Sequence, residues 1–106
     1  MSWQELIDGM KNDAATLLKS EIEQMLKSGK EDTSDFTKKQ AIKVERYLIE
    51  FASGAIAKEQ LSENMKDLES LTRMQINKLS VTEKAGAQRL ADGIRDIIIK
   101  RLFQLL

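Results

Sequence analysis

An all-α fold follows from three features of this sequence. Apolar side chains recur at three- and four-residue steps along most of the chain, no proline interrupts them, and Ser-x-x-Glu pairs and glycines stand where such stripes begin and end. At 106 residues the chain is expected to form one domain, residues 1–106, large enough to bury about two thirds of its unfolded surface without a disulfide. Four helices of similar length joined by short connections predict antiparallel neighbours. The expected architecture is a four-helix up-down-up-down bundle, or two packed helical hairpins.

The first helix opens with Ser2 as N-cap and Glu5 three residues on, a capping box that satisfies amides with no partner inside the helix. Trp3, Leu6, Ile7, Met10, Ala14, Leu17, Leu18, Ile22, Met25 and Leu26 then predict one continuous apolar face of about seven turns. Lys27, Ser28 and Gly29 read as its end, with Gly29 in the left-handed position that follows many helices and Lys27 near the negative pole. Trp3 lies in phase with the stripe and is expected in the core rather than on a binding surface.

Lys30–Asp35 is polar and rich in capping side chains, so a short loop is expected there, with Asp32, Thr33 or Ser34 as the next cap. The second helix carries Phe36, Ala41, Val44, Tyr47, Leu48, Phe51, Ala52 and Ala55 on one broad side, while Ile42 and Ile49 fall outside it and suggest a second contact surface. Lys38, Lys39, Lys43 and Arg46 make its opening locally basic, but Glu45 and Glu50 interrupt the run, as on a solvated face. Ser53 and Gly54 predict a turn. Ala57 follows as N-cap, with Ile56 placed to pack on Leu61 and Gln60 placed to reach back to the cap amide. Glu59, Glu63, Asp67 and Glu69 on the helix after that turn argue against a helix-turn-helix reading, because phosphates repel them.

The third helix has the narrowest stripe, Leu61, Met65, Leu68, Leu71, Thr72, Ile76 and Leu79, with Met74 off it, and should be the most solvent-facing. Glu69 and Arg73 are spaced for an i,i+4 ion pair. Ser80 and Glu83 form a second capping box, which argues for a break near Leu79, although neither glycine nor proline enforces it. The alternative is that the third and fourth helices are continuous in an intertwined dimer, since an unbroken helix from Lys58 to Leu106 would be roughly 70 Å long and would need a partner chain to cover it.

The fourth helix ends in the most apolar stretch of the chain. Ile94, Ile97, Ile98, Ile99, Leu102, Phe103, Leu105 and Leu106 cover roughly 240° of the helix circumference, so this helix needs neighbours on nearly every side. Ala85, Gly86, Ala87, Ala91 and Gly93 precede them and permit close helix approach. The arc exceeds one bundle seam, and packing about a twofold axis with a second copy is the simplest way to cover the excess. The candidate interface is therefore Ile42, Ile49, Ile99, Leu102, Phe103 and Leu106.

Composition restricts the chemistry. Lysine plus arginine equals aspartate plus glutamate at 17 each, so no net field draws the chain to nucleic acid, and no nucleic-acid partner is expected. The chain has no cysteine and no histidine, which removes thiolate and the usual zinc sites, histidine-dependent triads and the Glu-x-x-His pairs of di-iron bundles. Neither a phosphate loop nor a calcium loop is present, so no metal ligand and no cofactor is expected. Glu21, beside the first stripe, is the one carboxylate placed for partial burial, and it has no evident catalytic partner. The opening residues have no basic, long apolar leader, and the longest aliphatic run, Ile97–Ile99, is too short to span a bilayer, so a cytoplasmic protein is expected. A non-enzymatic protein working by association is the leading reading: a homo-oligomeric adaptor, assembly or regulatory factor, with a second copy or another protein as partner. The alternative is peripheral attachment to a membrane surface through the C-terminal amphipathic helix, where Arg95, Lys100 and Arg101 flank the apolar side and Asp92 and Asp96 oppose it.

Overall fold

A computed structural model describes residues 2–10 and 12–100. It is all-helical: α1 (Trp3–Asp8), α2 (Asp13–Lys30), α3 (Asp35–Ala52), α4 (Lys58–Ile76) and α5 (Val81–Ile99), with no strand among the described residues. Each long helix packs on the next, and α5 returns to pack on α2, so the four enclose one core. Across that core α3 also touches α5, whereas α1 lies on α2 and α3. Ile7, Leu18, Ile22, Val44, Leu48, Leu61, Met65, Ile94 and Ile97 are among its fully buried side chains.

The expected first helix is two helices. Gly9 ends α1, its amide donating to the Glu5 carbonyl, and Asn12 adopts an extended backbone and caps α2, its side-chain oxygen accepting from the Ala15 amide at 2.8 Å. A glycine followed three residues later by a strong N-cap residue is a weak helix interior and a good helix start. The break lets α1 fold back on α2, which a straight continuation could not do. It also resets the phase of the stripe: Ala15 is buried in place of Ala14, and Leu17 is exposed. Trp3 is only 4% exposed and belongs to the core.

Gly29 does not end α2 in a left-handed conformation. The helix runs on to Lys30, and Gly29 is buried where α2 meets α3, so close that an added Cβ would lie 2.6 Å from the Ala41 Cβ. Among the three expected caps Ser34 is the one used, its hydroxyl accepting from the Thr37 amide. Gly54 has φ 83°, the left-handed conformation that favours glycine in a tight turn. Ala57 is the N-cap of α4, as expected, but it supplies no side-chain cap, and Gln60 donates to Asn64 rather than reaching back. The third stripe is narrower than the sequence suggested, because Leu71 is exposed and only Leu61, Met65, Leu68 and Thr72 are buried.

The capping-box reading at Ser80 holds. Ser80 accepts from the Glu83 amide and donates to its carboxylate at 2.7 Å, and the chain turns between Ile76 and Val81. The third and fourth helices of the sequence reading are therefore separate, and a continuous helix shared by two chains loses its basis. Gly86 and Ala87 are buried in α5, with Gly86 directly against the Asp32 carboxylate, and Ala91 is buried too.

Candidate interaction surfaces

On α3, side chains turned away from the core lie about half a turn from Ala41, Val44 and Leu48. Ile42 and Ile49 lie about a third of a turn from that buried side, seven residues apart and so on one line of the helix, and they are 54% and 55% exposed. Charged groups border them: Lys30 pairs with Glu45 between α2 and α3, and Arg46 lies 3.9 Å from Glu50 and 5.6 Å from the centre of the Tyr47 ring. The acidic residues thus interleave with the basic run that opens α3.

Ile99 is 64% exposed at the end of α5. Ile99 is on α5 and the Ile42–Ile49 line on α3, two helices that touch across the core. Leu102, Phe103 and Leu106, the other candidate interface residues, lie outside the described residues, as do Arg101 and Leu105. Two exposed side chains that the periodicity placed on stripes, Leu17 and Leu71, add isolated apolar surface of the ordinary kind.

A groove of about 450 Å³ separates α2 from α5, with Glu21, Arg89, Asp92, Gly93 and Asp96 around Met25. It exists because Gly93 has no side chain to set against Met25, whose sulfur would lie 3.2 Å from a Cβ there. Glu21 and Asp92 are engaged. The Lys100 ammonium donates to Glu21 Oε1 at 2.7 Å, and this bond holds the lysine above its ordinary pKa. Arg73 donates to Glu69 at 2.6 Å and to Asp92 at 3.0 Å, and it too is held above its usual value, by Glu69 first and Asp92 second. Glu21 Oε2 is buried without a hydrogen-bond partner. Glu21 is thus the partly buried carboxylate that its position beside the stripe suggested, and it reaches a lysine.

Lys100 is one of the basic residues that a membrane-surface reading requires, and its ammonium is turned to Glu21. No helix among the described residues is long and apolar enough to cross a membrane, and no group of three or more aspartates and glutamates among them is placed to hold a metal ion. Periodicity gave no warning of the buried polar contact between α3 and α4, where Gln40 Nε2 donates to Thr72 Oγ1 at 2.9 Å and Thr72 in turn donates to the Leu68 carbonyl at 2.7 Å. Gln40 and Thr37 are buried beside Ala41 and Val44 on the inner side of α3. No protein-family model, no curated protein and no solved structure matches the chain.

Proposed function

We propose that this is a non-enzymatic cytoplasmic protein that works by association, as a homodimeric adaptor, assembly or regulatory factor. The observation that carries the reading is the Ile42–Ile49 line: two β-branched apolar side chains more than half exposed on one face of α3, bordered by charged groups of both signs. Across a twofold axis such a line meets its own copy, and the alternating charges beside it can pair with their opposites. The scaffold inferred for this role is an up-down-up-down arrangement of α2 to α5. Supporting it, Gln40 early in α3 meets Thr72 late in α4, Arg73 meets Asp92, and Lys100 at the end of α5 meets Glu21 in the first half of α2.

The test is the solution mass of the protein by light scattering over a range of concentrations, with Ile42→Asp/Ile49→Asp alongside the wild type. A dimer that becomes a folded monomer in the double variant is expected. A wild type that stays monomeric at high concentration, with unchanged helix content, would remove self-association.

A further inference from the structure

We infer that α1 is a releasable latch over an apolar docking groove between α2 and α3, and that the groove takes, in place of α1, an amphipathic helix bearing an aromatic and an aliphatic side chain one turn apart. The occupant is defined by what is seated there. Trp3 and Ile7, spaced i,i+4, are 4% and 2% exposed, while the opposite side of α1 is solvated. The Asp8–Lys19 ion pair places α1 along the first half of α2, and Trp3 and Ile7 share one core cluster with Leu18, Ile22 and Leu48, against which the half-buried Phe51 packs.

Three features make release a local event. At six residues α1 is far below the about 12 residues at which an isolated helix becomes even marginal, so it is helical only while docked. Among the helices it touches α2 and α3 alone, so the contacts that α4 and α5 make with their neighbours do not include it. α2 does not depend on α1 for its start, because Asn12 supplies a complete cap and Gly9 separates the two helices. The tether adds one half-buried side chain, Met10, to the anchors. This inference stands apart from the Ile42–Ile49 reading, which concerns exposed side chains of α3.

Trp3 is the single tryptophan of the chain, so its fluorescence reports α1 directly. In a urea titration of the full-length protein its emission is expected to shift to the red at lower denaturant than the far-ultraviolet helix signal is lost; coincident transitions would overturn the latch. A second measurement uses the full-length Trp3→Ala variant, which has no tryptophan, and a synthetic peptide of residues 2–10. The variant should keep its long-helix signal, and the added peptide should bind saturably with a blue shift, about tenfold more tightly than the same peptide carrying Ile7→Asp. Loss of the helix signal in Trp3→Ala, or equal binding of the two peptides, would show α1 to be a fixed part of the core.

Discussion

An added methyl group meets different things at Gly29 and at Gly93. At Gly29 it would lie 2.6 Å from the Ala41 Cβ, an atom fixed to the α3 backbone that no rotamer change can move. Helix propensity would favour Gly29→Ala by about 1 kcal/mol, but overpacking costs about 1–3 kcal/mol, so a net loss is expected, read as a lower urea midpoint at unchanged slope. At Gly93 the neighbour is the Met25 sulfur at 3.2 Å, the mobile part of a flexible side chain, so Gly93→Ala should be neutral or stabilising by up to about 1 kcal/mol. Thr72→Val has the opposite logic, keeping shape while leaving the buried Gln40 amide without its acceptor, and should cost about 1–3 kcal/mol in the same titration. Apolar stripes identified Leu18, Val44 and Ile94 from letters alone. They missed Gln40 because a polar letter in the right phase is indistinguishable from a solvated one until its partner on another helix is in place.

Among the elements, α4 and α5 form a natural comparison. α5 begins on Ser80, whose hydroxyl caps the Glu83 amide, and Ser80→Ala should cost about 1 kcal/mol; α4 begins on Ala57 with no side-chain cap, and Ala57→Ser should raise stability by about 0.5–1 kcal/mol. Both are read from thermal midpoints. Glu83 also makes the α5 start sensitive to acid. Hydrogen bonds from Ser80 first, and from Ser34, hold its carboxyl below the ordinary glutamate value. A folded-state pKa depressed in this way contributes stability above the unfolded value, and the contribution is lost as pH falls through the folded value. The gap in thermal midpoint between wild type and Glu83→Gln should therefore be constant near neutrality and shrink on acidification below the ordinary glutamate range. Helix starts at Ser2, Ser34 and Ser80 were legible because capping is local. The start at Asn12 was equally local, but a stripe that passed through it in phase outweighed it.

At the scale of the molecule, exposed large apolar side chains are divided among the four long helices: Leu17 on α2, Ile42 and Ile49 on α3, Leu71 and Met74 on α4, Val81 and Ile99 on α5. A twofold contact uses the same patch on both copies and closes on itself, whereas a contact joining two different patches propagates. If the Ile42–Ile49 line pairs with its own twin, Ile99→Asp should leave a dimeric mass unchanged while Ile42→Asp/Ile49→Asp abolishes it, and sedimentation velocity should find no species larger than the dimer. The division itself could not be read from the chain. A helical projection places Ile42, Ile49 and Ile99 off their stripes, but it does not say which helices face each other across the core.

From the sequence alone came the all-helical class, the starts of α3, α4 and α5, the turn at Gly54 and the core position of Trp3, while the separation at Ser80 stood there as one of two alternatives. Each of these is encoded within a few residues, by the 3.6-residue period, by side chains that cap amides, or by glycine at positive φ. Only the tertiary structure decided what depends on residues far apart in the chain. Examples are the contact of Gly29 with Ala41, the seating of Asp32 on Gly86, the Gln40–Thr72 bond, and the folding of α1 back over α2 and α3. In each case the deciding term is packing between elements, whose partners become neighbours only when the helices have assembled.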